Sequence, residues 1–284
     1  MKAVIALSGL AGMLLFGPGL RHSHNPTINH VVHVDTHAVA HVAMDVQSQC
    51  NFEDELTLSM AVGAGDALKL IAGAGSLEVT GVDGLREMRA VARVCASHEE
   101  FLEELDLTAE MSGSDLVVET HYPDISGRSG WGNRYARLDL RIEVPEGMVA
   151  DIEDSSGEMF LTKLGALTIK DSSGGIEARS IRGSVWIDDS SGEIGLWDIT
   201  GDVDIEDGSG EIGISGVGGG VTLFDGSGEI EVEDVEGDVR VVRDGSGSID
   251  VDGVGGDFIV ERDGSGSIDF HNVRGTVDVP RRRR

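Results

Sequence analysis

An Asp-x-Ser-Gly element recurs through the second half of the chain, beginning at Asp154, Asp171, Asp189, Asp207, Asp225, Asp244 and Asp263. Successive copies are 17, 18, 18, 18, 19 and 19 residues apart. A near-constant period of this length marks a stacked repeat and narrows the available folds more than any other feature of the chain. Counted from each Asp from Asp171 onward, apolar residues fall at +5, +7, +10, +14 and +16. They are Ile212, Ile214, Val217, Val221 and Leu223 in one copy, and Ile230, Val232, Val235, Val239 and Val241 in the next. The +5/+7 and +14/+16 pairs each have the period of two that places both side chains on one strand face. The residues between them, such as Glu231 and Arg240, are polar. Glycines precede both pairs and supply corners where the backbone needs positive φ.

Each repeat is therefore two short strands and two turns, too small to bury its own apolar face. Stacking buries it. The expected fold is an all-β, single-stranded β-solenoid of about seven turns of 17–19 residues, with identical positions in columns about 4.8 Å apart and roughly 34 Å of stack. A two-layer sandwich is the alternative, but it requires no constant period. Composition agrees: aromatics are only 4% of the chain, so the core must be filled by Val, Ile and Leu, which favour strands. The 41 glycines lack the three-residue period of collagen. The glycine runs resemble nine-residue calcium repeats, but the period is wrong, and no helix pattern follows them as a dinucleotide fingerprint requires.

Upstream, "AGAGSLEVTGV" keeps the repeat register, with Leu77, Val79 and Val82 at +5, +7 and +10 from Ala72, and reads as a terminal, atypical turn. Ser97 and Glu100 have capping-box spacing, which predicts a short helix over 97–105, and further strands are expected over 115–119 and 137–144. This β-rich segment with its one helix is expected to cover the first rung. At the other end "PRRRR" follows Val279; proline and like charges deter edge-to-edge pairing.

The first twenty residues read as a secretory signal, with Lys2 before the apolar run from Ala3 to Phe16 and a Gly-Pro-Gly break after it. The run is too short to favour a membrane span. The organisation expected is a signal over 1–20, a histidine-rich linker over 21–49, a capping segment over 50–150, regular repeats over 151–280 and a basic tail over 281–284. Two cysteines occur, Cys50 and Cys95, and in an oxidising compartment an even pair is most simply one disulfide, worth about 4 kcal/mol in the chain-entropy model. Two buried thiols are the alternative.

The "AGSLEVTG" segment, the "VCAS" cysteine, "LDLRIEVPEG" and the Asp-x-Ser-Gly turns resemble an uncharacterised bacterial repeat family, a domain of unknown function that carries an adhesin label. The resemblance implies a β-solenoid and an exported protein of the bacterial periplasm or cell surface. It brings no catalytic residues.

Candidate sites follow from the columns. Carboxylates about 4.8 Å apart repel by roughly 1 kcal/mol in water and by more when partly buried. Either each Asp caps its own turn through backbone amides, or some are protonated, or cations sit between Asp189, Asp207, Asp225, Asp244 and Asp263. Calcium would suit the all-oxygen surroundings. Ser191, Ser209, Ser227, Ser246 and Ser265 are expected to form a hydroxyl ladder and not a row of nucleophiles, since no histidine repeats beside them. His30, His33, Asp35, His37 and His41 could hold zinc, nickel or copper, but no second cluster closes a site and a linker is the simpler reading. Trp186 and Trp197 are both in the outward register.

A net charge of −29 argues against a nucleic-acid partner. The function expected is a non-enzymatic envelope scaffold for binding or adhesion, whose flat faces suit an extended polymer or another envelope protein. The alternative is an envelope regulatory or cation-responsive module. A polysaccharide-acting enzyme fits less well, because no pair of carboxylates stands out from columns of near-identical copies.

Overall fold

The computed structural model describes residues 50–125 and 134–280. The signal segment, the histidine-rich segment with His30, His33, Asp35, His37 and His41, and the arginine tail lie outside the described residues.

The described chain is almost entirely β, wound as a solenoid of two eleven-stranded sheets. Each repeat contributes one strand to each sheet. Val203–Asp207 lies in the second sheet and Ile212–Val217 in the first; Val221–Asp225 and Ile230–Val235 repeat the pattern one rung later. Neighbouring rungs pair in parallel and in register, so that Val203 faces Val221, Ile205 faces Leu223 and Ile212 faces Ile230. The inward positions +5, +7, +10, +14 and +16 form the core: Ile230, Val232, Val235, Val239 and Val241 are all buried. Repetition of Val, Ile and Leu in columns places β-branched side chains directly over one another, which is how a core with few rings is filled.

The drift of the period from 18 to 19 residues has a local cause. Val221–Leu223 pairs evenly with Val239–Val241, and then the register shifts so that Phe224 faces Arg243. One extra residue is taken up there as a bulge, and the later rungs carry it forward, with Val239 facing Phe258 and Asp244 facing Asp263.

The N-terminal segment departs from the expected order. The atypical turn around Leu77 is not terminal. Its strand Leu77–Val82 lies between Met159–Thr162 and Ala136–Pro145, parallel to both, and Ala67–Ile71 lies between Ala150–Glu153 and Asp115–His121. After the edge strand Phe52–Ala61 the chain lays down an inner rung, travels outward, and returns through Ala136–Pro145 to start the regular repeats on the other side of that rung. The outermost pairs are antiparallel: Glu87–Ala96 on Ala136–Pro145, Phe52–Ala61 on Glu87–Ala96, and Asp106–Ser112 on Asp115–His121. Only the last of these pairs is a hairpin of consecutive strands, which needs no crossover. The edge strand Phe52–Ala61 exposes Glu53, Asp54 and Glu55, charges that discourage further pairing.

The short helix is present as Glu99–Leu102, with Phe101 buried against the core. The capping box is not formed. His98 stands at the N-cap without a side-chain cap bond, while the Ser97 hydroxyl contacts His98 Nδ1 at 2.8 Å and accepts from the Tyr135 amide at 3.1 Å. Ser97 serves a longer-range contact than its spacing to Glu100 suggests. Cys50 and Cys95 form a disulfide, joining the start of the edge segment to the strand beside it.

Candidate functional site: the inward aspartate column

Four rungs end their second-sheet strand on the repeat aspartate: Leu167–Asp171, Val185–Asp189, Val203–Asp207 and Val221–Asp225. The aspartate stands two residues after +16, so it shares the inward face with +14 and +16. Val221, Leu223 and Asp225 consequently all point inside, and Asp225 is 0% exposed. Asp154, Asp171, Asp189, Asp207 and Asp244 are buried as well, and Asp263, in the last rung, is half-buried.

The capping expectation holds for one oxygen of several of these side chains. Oδ1 accepts the amide two residues on: from Ser191 to Asp189 at 3.2 Å, from Ser209 to Asp207 at 3.2 Å, and from Ser227 to Asp225 at 3.1 Å. Asp171 accepts from Ser172 at 2.7 Å. Oδ2 of Asp171, Asp189, Asp207 and Asp225 is buried and has no donor facing it, and at Asp154 and Asp244 neither oxygen has one. An ionised carboxylate can only accept, so stacking these groups gives each buried oxygen another acceptor for a neighbour. Burial is the main reason that all six carboxyls titrate above the usual range. Asp154 and Asp225 are pushed up to about 7 and Asp189 to about 6. Asp171, Asp207 and Asp244 move the same way, also chiefly through burial. For Asp225 the neighbouring carboxyls of Asp244 and Asp207 add to the shift; for Asp189 the charges of Asp171 and Asp207 do.

The other columns resolve differently. The serines act through their backbone: Gly192 N–H donates to the Ser209 carbonyl and Gly210 N–H to the Ser227 carbonyl, both at 3.0 Å. Where the structure gives a serine hydroxyl a partner in this column, that partner is a backbone carbonyl, as for Ser191 Oγ on Ser172 at 3.4 Å, so the hydroxyl ladder is not what forms. A second aspartate column, unnoticed in the sequence, lies outside at +13. Asp202, Asp238 and Asp257 accept the amides of Gly220, Asp257 and Thr276 in the next rung, at 2.9, 2.7 and 2.7 Å. The recurring Gly-Asp before the +14 apolar residue is its signature.

Trp186 and Trp197 are half-buried and lie on different sheets. The Trp197 indole lies across Gly195, where a Cβ would meet it at 2.2 Å, and the Arg179 guanidinium stacks 3.7 Å from its centroid. Glycine one strand position away makes room for the ring, and arginine then occupies it. Among the described residues no three histidines, cysteines or carboxylates converge closely enough to hold a metal ion, and no helix is long and apolar enough to cross a membrane.

No family model and no curated protein matches the chain. Solved structures do. A "putative cell adhesion protein" from Clostridium sporogenes is 14% identical over 80% of this chain and 98% of its own, with a TM-score of 0.35. A "putative adhesin" from Bacteroides fragilis is 15% identical over 79% and 96%, with a TM-score of 0.37. A "putative lipid binding protein" from Parabacteroides distasonis is 14% identical over 80% and 97%, with a TM-score of 0.36. The first two of these neighbours carry an adhesion label of the kind the sequence resemblance implies, and the third does not. Likeness of this size conveys no ligand.

Proposed function

We propose that this chain is a non-enzymatic, exported scaffold of the bacterial envelope that binds an extended, basic partner along a flat sheet face. The observation that supports this reading is the outer face of the first sheet toward the C-terminal end. There Glu231, Asp250 and Asp269 stand in register, and Glu233 and Asp252 stand in register beside them. Parallel strands about 4.8 Å apart turn these side chains into a flat grid of like charge. A grid suits a partner that is itself extended and repeats a positive charge, such as a basic polymer or a lysine-rich envelope protein, better than a small substrate. The Cys50–Cys95 disulfide is compatible with export.

The test is binding of the purified chain to immobilised polylysine and to isolated cell-wall sacculi across a salt series. Binding should weaken with salt and should be lost in the triple variant Glu231→Gln/Asp250→Asn/Asp269→Asn. A variant that binds as well as the parent would move the partner to another face.

A further inference from the structure

We propose that the inward aspartate column is a proton-binding ladder, in which a proton held on one carboxyl supplies the hydrogen-bond donor that its buried neighbour lacks, so that acidification tightens the stack and ionisation of the column loosens it. This holds whichever partner binds the faces.

Three features of the geometry carry it. The carboxyls of Asp171, Asp189, Asp207 and Asp225 are buried in register, rung above rung, and Asp154 and Asp244 are buried beside the two ends of that run. Oδ1 of Asp189, Asp207 and Asp225 is occupied by a turn amide, which ties down the side chain by one oxygen. That other oxygen is buried and unpartnered while every member is ionised. Leaving a buried acceptor without a donor is costly, and leaving it beside a second charge is costlier. Protonating one member removes a charge and creates an O–H donor, correcting both faults at one site. Asp225 and Asp244 are placed to do so as neighbours in the column, where Asp244 pushes the Asp225 carboxyl up while Asp225 pulls that of Asp244 down.

The groups facing the column offer no substitute for the proton. The inward positions beside it are apolar, for example Val203, Ile205, Val221 and Leu223 on the same strands and Ile212 and Ile230 on the facing sheet. At the N-terminal end Asp154 faces Tyr122, whose hydroxyl donates to the Ala74 carbonyl at 2.9 Å and which burial holds protonated, pushed up to about 12. Toward solvent, Glu153, Lys170 and Asp188 line a shallow groove with Asp154 and Asp171, two acids to one base. The +13 aspartates differ in kind, since Asp202, Asp238 and Asp257 are outside and already accept backbone amides.

The sign follows from linkage. A carboxyl whose folded pKa is raised above its unfolded value of about 3.9 binds more protons when folded, so stability falls as pH rises through that interval. With Asp189 at about 6 and Asp154 and Asp225 at about 7, stability should be greatest near pH 4, fall through pH 5 to 7, and level off above pH 8.

The experiment pairs a structural and a thermodynamic readout on the full chain. Infrared difference spectra should show protonated-carboxyl absorption at pH 6 that disappears by pH 9, reduced in Asp225→Asn. The thermal midpoint of the parent should fall between pH 5 and 8, and that fall should be flattened in Asp207→Asn/Asp225→Asn/Asp244→Asn, whose amides supply donors without charge. Asp202→Asn/Asp238→Asn should keep the parent's slope. Absence of the infrared signal at pH 6 would overturn the proposal even if the triple variant does not fold. So would stabilisation at pH 8 by sodium or calcium but not by tetramethylammonium, since the column would then hold a metal cation in place of protons.

Discussion

A Cβ placed on Gly192 would stand 1.5 Å from the carbonyl oxygen of Gly174, one rung away, and the φ of Gly192 is +154°. The same collision recurs along the +3 column, at 1.5 Å for Gly210 on Gly192 and for Gly228 on Gly210. The rung spacing is set by backbone hydrogen bonds, so the carbonyl cannot retreat without breaking the ladder it belongs to. The turn glycines are thus required twice, by backbone conformation and by space.

Gly192→Ala should lower the thermal midpoint by many degrees or prevent folding, because both overpacking and strain act against it. Gly213→Ala is the matched control. Its Cβ would find only the Ile194 carbonyl, at 4.0 Å, and its φ needs no glycine, so it should be close to neutral. Equal losses in thermal unfolding would show that glycine content, and not this column, sets tolerance.

Val239 and Arg240 are adjacent and opposite in fate. Val239 is buried, while Arg240 is exposed and paired with Glu261. Val239→Asp should cost several kcal/mol, on the order of an unpaired buried charge, and melt the stack. Arg240→Asp should cost about 1 kcal/mol or less, the scale of an exposed ion pair. Comparable losses by denaturant titration would contradict the inward register.

The Cys50–Cys95 bridge spans a sequence separation of 45 and ties down the segment that leads into the edge strand Phe52–Ala61. Protein recovered under denaturing alkylation should show no free thiol. Reduction should lower the midpoint, by up to about 4 kcal/mol of stability in the chain-entropy model. Hydrogen exchange should rise first in Phe52–Ala61, the outermost strand, and unchanged exchange there would count against the bridge as its anchor.

Millimolar calcium should not shift the unfolding midpoint beyond what sodium does at matched ionic strength. The inward carboxyls of Asp189, Asp207 and Asp225 already spend one oxygen on a turn amide, and no three donors converge among the described residues. A saturable shift removed by chelator and reduced by Asp225→Asn/Asp244→Asn would reverse this expectation and favour a cation-responsive module.

Much of the solenoid is legible from residue spacing because every rung solves the same local problem. Ile230, Val232, Val235, Val239 and Val241 declare an inward face by period, and five other copies repeat the declaration in full. The aspartates were legible too, by a signal that composition hides. Asp225 is in phase with Val221 and Leu223, so the strand carries it inside despite its charge. Reading it as a turn residue attends to its chemistry, and strand parity outweighs that chemistry. The +9 column gives the same lesson: Ser180, Asp198, Asp234 and Asn272 all have positive φ near +50° to +60°, where Gly216 and Gly253 stand in other rungs. Residues that tolerate that conformation mark it, but only the alignment of rungs shows that they form one column.

The sequence by itself determined the repeat, its inward positions, the glycine corners and the cysteine pair, because each depends on local geometry copied rung after rung. Tertiary structure alone decided the order in which the N-terminal rungs are laid down. Leu77–Val82 has the same apolar pattern whether it lies at the end of the stack or between Met159–Thr162 and Ala136–Pro145. Its place depends on which chain returns to cover it, and that choice belongs to strands far away in sequence. Tertiary structure also divided two kinds of aspartate. Asp225 and Asp238 belong to the same repeat, at its start and at +13, but stand on opposite sides of the wall, one short of a hydrogen-bond donor and the other supplied with one by the next rung.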